Sequence, residues 1–373
     1  MNKENFYNTF RTQCLDVEQL SMDQFDRSLE SVKTFIPYEK LLNVKRIIAT
    51  GCGDSYLAAC EMKEAFNYYL PNILYETPSA IDAARYIDLD TKNTLVIAVS
   101  VSGGASRISE ILQRAKHNNC LAVALTDNLS SKAASSADYV LHTNTPKGDN
   151  YAGLRSYYAS MITLIVFAAY LAEQISNKSY LSELKKEVES YKNKIFANIN
   201  NTDDTCFNMA LQSKEYRMFE VVADYDMFVC GKFISAKFAE LSGDVCSVID
   251  SENYFHVNSL MYPEKNMSGI LIIDSNKQNL DRIVESANDQ IKSKRKVIIF
   301  SDKNLKQLGI ENGAMYCYLP FVDGKLSFIN PLFCYIPISI FVSYHAALLG
   351  EEYFRGGIYR NSMTLGNNPI RII

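Results

Sequence analysis

Short runs of apolar, β-forming residues recur along the chain, each followed by a turn rich in Gly, Ser or Asp and then by a stretch with helical spacing. Val44 to Thr50 reads VKRIIAT and runs through GCGDS into YLAACEMKEAFNYYL. Leu95 to Ser100 (LVIAVS) is followed by a Gly/Ser turn and the helical stretch Ser106 to His117, and Leu121 to Thr126 (LAVALT) leads into another turn. Strands that are apolar throughout, instead of alternating, are covered on both faces. Alternation of such strands with helices predicts an α/β chain with doubly wound parallel sheets.

The same order returns in the second half. DMFVCG (Asp226 to Gly231), GILIID (Gly269 to Asp274) and VIIFSD (Val297 to Asp302) read as strands, each followed by a helix or turn. Cys52-Gly53 pairs with Cys230-Gly231, Ser100 with Asp274 and Thr126-Asp127 with Ser301-Asp302, at offsets of 178, 174 and 175 residues. Matches at nearly one offset predict an internal duplication of a doubly wound unit. The expected organisation is a helical segment over 1–43, a first domain over 44–180, a helical linker over 181–205, a second domain over 206–350 and a tail over 351–373.

Composition narrows the partners. With 38 Lys plus Arg against 42 Asp plus Glu, the net charge is -4, and no dense basic run is present. A nucleic-acid partner is therefore not expected, because such affinity comes mainly from a positive surface. Nine cysteines without a CxxC pair suggest neither a zinc site nor a disulfide framework, and the opening MNKENFYNTFRTQ has no secretory apolar stretch. Reduced thiols and a cytoplasmic location are expected, with no metal and no other cofactor; no GxxxxGK[ST] nucleotide loop occurs. Ser156 to Ala172 and Ser327 to Gly350 carry no Asp, Glu, Lys or Arg. The first is short for a bilayer and the second holds Asn330, Pro331, Pro337 and His345, so buried helices are expected instead of membrane spans.

Ligands of doubly wound sheets gather at the carboxyl ends of the strands, where helix N-termini present free N–H groups. Two such ends are rich in small hydroxyl residues: Gly51-Cys52-Gly53-Asp54-Ser55, and Ser100-Val101-Ser102-Gly103-Gly104-Ala105-Ser106. Glycines let backbone approach an anion and serines add neutral donors, so a phosphate can be held without a lysine. The plainer reading is a helix N-cap and turn.

GCGDSY, SVSGG after a strand, LTDNLSSKAASSADYVL and AGLRSYYAS occur in an order that resembles sugar isomerase (SIS) domains, particularly the tandem pair in the isomerase half of glucosamine-6-phosphate synthase. The likeness covers about Val44 to Glu173 well and Asp226 to Gly350 more weakly. It implies a sugar phosphate held by Ser55, Ser100, Ser102, Gly103 and Ser106, with Gly53, Val101 and Ala152 close to the substrate. Departures are Ala105 where the family often has Thr or Ser, and Val101 where it often has Gln.

The second half has no SxSG loop, since its matching strand ends in Asp274-Ser275-Asn276, and a second phosphate is not expected there. It offers Lys237 and Glu240, three apart on one helix face, and His256 sixteen residues further on. The resemblance implies that this set is catalytic: Glu240 moves the proton between sugar carbons 1 and 2, and His256 assists ring opening from a neighbouring subunit. Aldose–ketose interconversion needs a carboxylate for that shuttle and a second group for the hydroxyl protons, a task for which His titrates near neutrality. The plain reading is a solvated helix pair and an incidental histidine. The chain ends TLGNNPIRII with no lysine after Lys325, so imine formation by a tail lysine, as in synthase-like relatives, is not expected; nor is glutamine-dependent synthesis, for want of an N-terminal nucleophilic cysteine and its domain. The expected function is an isomerase, deaminase or deglycase acting on a sugar or amino-sugar 6-phosphate, working as a homodimer. The alternative is a non-catalytic phosphosugar-binding regulatory module.

Overall fold

The computed structural model describes residues 2–89, 93–148, 152–176, 178–261 and 267–352. The chain divides into two compact units, one built from Val17–Gly148 and Gly153–Glu189, the other, among the described residues, from 2–16, 152 and 190–352. Each unit holds one five-stranded parallel sheet with helices packed on it.

The first sheet contains β1 (Arg46–Gly51), β2 (Leu74–Glu76), β3 (Thr94–Val99), β4 (Leu121–Thr126) and β5 (Tyr139–His142), in the order β2-β1-β3-β4-β5. The second contains β6 (Met218–Val222), β7 (Val245–Ile249), β8 (Met267–Ile273), β9 (Lys296–Ser301) and β10 (Ala314–Tyr318), in the order β10-β9-β8-β6-β7. Counted from its own first strand, each sheet reads 2-1-3-4-5 from one edge, and every pairing is parallel. In this winding the strand order reverses between the first and third strands, and a crevice opens there at their carboxyl ends.

Small side chains set the packing of the first unit. Ala98, Ala122 and Ala124 on the strands let Ile108, Ile111 and Leu112 of the helix Ser106–His117 sit close against the sheet. The second unit fills the matching space with larger strand residues, Leu271, Ile273, Val297 and Ile299, under Ile283 and Ala287 of the helix Leu280–Lys292. Both uncharged stretches are core helices, as expected. Leu154–Ser176 packs on the helices Asp54–Glu61 and Lys63–Tyr69, and Tyr335–Leu348 packs on Ile199–Ser213 and Asp226–Leu241. By length and composition Leu154–Ser176 and the longer stretch Gly324–Leu348 could cross a bilayer, but most of each is covered by protein.

The second repeat begins one element earlier than the sequence reading predicts. DMFVCG is the first part of the helix Asp226–Leu241, and the strand before it is β6. Two features hide this. The helix is buried on most sides, through Met227, Cys230, Phe233, Ile234 and Phe238, so its apolar run lacks a polar face. The strand carries a charge, Glu220, buried and held by Arg295 Nη1 at 2.9 Å and by the Asn258 amide. Cys230-Gly231 is therefore not the counterpart of Cys52-Gly53. The counterpart of Gly53 is Tyr225: each immediately precedes the helix after its unit's first strand, with φ 56°, ψ -131° at Gly53 and φ 52°, ψ -121° at Tyr225.

The helix Thr9–Thr34 forms most of the N-terminal segment. Residues at its start belong with the second unit, where buried Asp203 accepts hydrogen bonds from Lys3 Nζ (2.8 Å), Arg11 Nε (2.7 Å) and the Tyr344 hydroxyl (2.9 Å). The tail expected over 351–373 lies outside the described residues from 353 onward.

Candidate functional site

In the first unit the crevice between β1 and β3 is bordered by the two loops singled out in the sequence. After β1, Gly53 takes φ 56° and precedes the helix Asp54–Glu61, whose N-terminus has no side-chain cap. Ser55 is half-buried in its first turn. Gly51 admits no side chain, since a Cβ would lie 2.7 Å from the Ser55 backbone carbon. After β3, the chain turns through Ser100 to Ala105 into the helix Ser106–His117, which also lacks a side-chain cap. Neither helix start carries a side-chain cap, and the helix dipole favours negative charge there.

The serine loop is held in shape by backbone bonds. Ser100 N–H donates to Leu125 O (2.9 Å), the Val101 carbonyl accepts from Asp127 N (3.1 Å) and Thr126 Oγ1 (3.0 Å), and the Gly103 carbonyl accepts from Ala133 N (3.0 Å). Gly103 sits at φ 62°, where an added Cβ would come within 2.1 Å of Ser131 Oγ. Ser102 is exposed, Ser100 and Ser106 are buried at the loop's base, and Val101 is half-buried. Ala152 is buried, just before the helix Leu154–Ser176.

A cation to which the sequence reading gave no role lies beside these loops. Arg107, in the first turn of the helix, is paired with Glu110, a buried carboxylate that also binds Arg85 at 2.5 Å. The Arg107 charge reaches Cys52: burial pushes that thiol up, and Arg107 opposes the rise. Two guanidinium groups, of Arg85 and Arg107, thus share the one buried carboxylate of Glu110. The signal available in the sequence was an arginine directly after the serine loop.

In the second unit, Lys237 and Glu240 lie on one face of the helix Asp226–Leu241, with Nζ 2.7 Å from Oε2. The pair is not a solvated one, because Lys237 is 0% exposed and its side chain lies over the Phe233 ring at 4.7 Å, whereas Glu240 keeps 29% of its side chain exposed. An ammonium so removed from water is tolerable only with a paired anion, which makes Glu240 a necessary neighbour of Lys237. His256 ends the short helix Ser251–His256; its side chain is 67% exposed and paired with Glu252 at 3.1 Å. The structure thus joins Lys237 with Glu240 and places His256, its side chain exposed, on a separate short helix.

Residues 40–170 match the family model for the SIS domain. Over that stretch the chain is similar to a SIS domain. The match takes in the whole first sheet and both of its loops. Over 335 residues the chain is 25% identical to a probable glutamine–fructose-6-phosphate aminotransferase [isomerizing] of Acanthamoeba polyphaga mimivirus, an alignment covering 84% of this chain and 50% of the relative. The chain therefore spans about half the length of that curated relative. Among solved structures, the C-terminal domain of glucosamine-fructose-6-phosphate aminotransferase from Francisella tularensis superposes with a TM-score of 0.77 at 16% identity, covering 94% of this chain and 98% of that one. A tagatose-6-phosphate ketose/aldose isomerase from Escherichia coli does so with a TM-score of 0.73 at 12% identity, covering 96% and 97%. These likenesses establish the fold, two SIS-type sheets, the first of them the matched SIS domain.

Proposed function

We propose that the protein is a phosphosugar-processing enzyme that binds a sugar or amino-sugar 6-phosphate in its first SIS unit and transfers a proton between carbons 1 and 2. The observation that carries this reading is the pair of uncapped helix N-termini bordering the β1–β3 crevice, one entered through a loop whose glycine admits no side chain and whose serines supply hydroxyl donors. Backbone N–H groups and neutral hydroxyls suit the dispersed charge of a phosphate dianion. Ser55, Ser100, Ser102, Gly103 and Ser106 are the proposed phosphate set, with Gly53, Val101 and Ala152 beside the substrate.

Glu240 is the proposed base. It takes the proton from the carbon next to the carbonyl and returns it to the adjacent carbon, while hydroxyl protons move between the two oxygens. The buried Lys237 ammonium, 2.7 Å from the Glu240 carboxylate, fixes where that carboxylate sits. His256 is proposed for ring opening; its exposure supports service to a second copy's substrate in a homodimer. The nine cysteines, with no CxxC pair among them, fit a reducing, cytoplasmic setting.

Proton–deuterium exchange at carbon 2, followed by NMR over a panel of hexose and hexosamine 6-phosphates, tests this reading. Exchange with one substrate class, lost in Glu240→Gln while the ligand still binds, is the expected result. Exchange that survives in Glu240→Gln removes Glu240 from its role. No exchange alongside thermal stabilisation by a sugar phosphate supports the second reading, a regulatory binding module, which the departures at Val101 and Ala105 favour.

A further inference from the structure

The second unit has a crevice of its own at the corresponding place. Between the carboxyl ends of β6 and β8 lies a cavity of about 800 Å³, with Asp224, Tyr225, Glu252, Asp274, Lys277 and Arg282 among its walls. Open α/β sheets take ligands at this position. The chemistry of the walls is the reverse of the serine loop's. Asp274 directly follows β8, as Ser100 directly follows β3. A carboxylate in place of a hydroxyl repels a phosphate.

Three observations describe what would fit instead. Asp274 is 5% exposed, and its Oδ1 accepts from both Asn276 N and Asn276 Nδ2 at 3.0 Å, but among the described residues its Oδ2 accepts no hydrogen bond. Lys277 Nζ stands 3.9 Å from Oδ2 and is drawn to Asp226 at 2.9 Å. Burial, with the charges of Asp226 and Asp302, pushes the Asp274 carboxyl up against the opposing Asn276 N–H and Lys277. Secondly, Asp224, Glu252, Asp274 and Asp323 outnumber Lys277 and Arg282 among the ionisable walls. Thirdly, Tyr225 holds φ 52°, a conformation that its counterpart Gly53 adopts freely and that a tyrosine adopts only under strain. Tyr225 is 62% exposed at the cavity's edge, with Lys277 Nζ 5.1 Å from its ring centre, so the face already accepts an ammonium.

We propose that this cavity is a second ligand site, for a hydroxylated molecule carrying a primary ammonium group and no phosphate. The ammonium takes the place now served at a distance by Lys277, against Asp274 and the Tyr225 face. Hydroxyls bond to Asn276, Asn279 and Ser327, which also line the cavity. The strained tyrosine is kept for its ring, at a cost to the backbone.

Calorimetric titration of the full chain with glucosamine as probe tests the proposal. Working in a Ser102→Ala background separates its failure from failure of the serine-loop reading. Saturable binding of glucosamine is expected, with glucose at least tenfold weaker. Asp274→Asn should weaken glucosamine at least tenfold. Tyr225→Gly should weaken it about fivefold while raising the thermal midpoint, because the strain is relieved. The second variant decides the matter if the first does not fold. Absence of glucosamine binding, equal binding of glucose, or unchanged affinity in Tyr225→Gly overturns the proposal.

Discussion

Gly103 shapes the serine loop more firmly than any of its serines. Its φ of 62° and the 2.1 Å approach of a Cβ to Ser131 Oγ oppose a side chain for two separate reasons. Gly103→Ala should cost about 3 kcal/mol of stability, combining backbone strain with overpacking, read as a fall in the urea midpoint. Affinity for sugar phosphates should fall with it. Glu240 presents a related contrast. Glu240→Ala leaves the buried Lys237 ammonium without its partner carboxylate and should cost on the order of 2 kcal/mol. Glu240→Gln keeps an acceptor and should cost less than half as much, which makes it the cleaner probe of catalysis. The two loops and the Lys237–Glu240 spacing were legible in the sequence because glycines, serines and a three-residue helical interval mark themselves locally. The Tyr225 turn was not, because a tyrosine at positive φ has no sequence signal of its own; only alignment of VADYD with TGCGD would have shown it.

At the scale of elements, buried charge does as much positioning as apolar packing. Asp203 fastens Lys3 and Arg11 from the N-terminal segment to Tyr344 of a core helix, and Asp244 accepts from His345 Nε2 at 2.9 Å and Ser242 Oγ at 2.6 Å and pairs with Arg217. Burial tends to raise both carboxyls, but these partners hold each below its ordinary value of 3.8. A carboxyl with a lowered folded pKa adds stability that is full above the unfolded value and lost as pH falls through the folded one. The urea midpoint should therefore hold from pH 7 to about 5 and decline below about 4, and Asp203→Asn should flatten part of that decline. Asp203→Ala should cost about 3 kcal/mol at pH 7, since it leaves Arg11 short of its anion. None of these networks could be read from the sequence, because the partners lie up to 333 residues apart. The central strands were legible, since continuous apolar runs such as LVIAV and LAVAL have few other uses. β6 was missed because Glu220 interrupts it, and the buried helix beside it imitates a strand.

For the molecule as a whole, duplication followed by division of labour is the account that joins the observations. Two sheets share one winding and one strand–turn–helix geometry, but a serine loop borders the crevice of the first and carboxylates border that of the second. The sequence showed the duplication through its regular offset, with one of its three pairings displaced by an element. The most direct test of the central claim, that the first crevice holds phosphate, is a phosphorus NMR titration of glucosamine 6-phosphate with wild-type protein and Ser102→Ala. A saturable shift, displaced by inorganic phosphate and weakened about tenfold by loss of one hydrogen bond to a charged group, is the predicted result. No shift in the wild type, or equal affinity in Ser102→Ala, would contradict it.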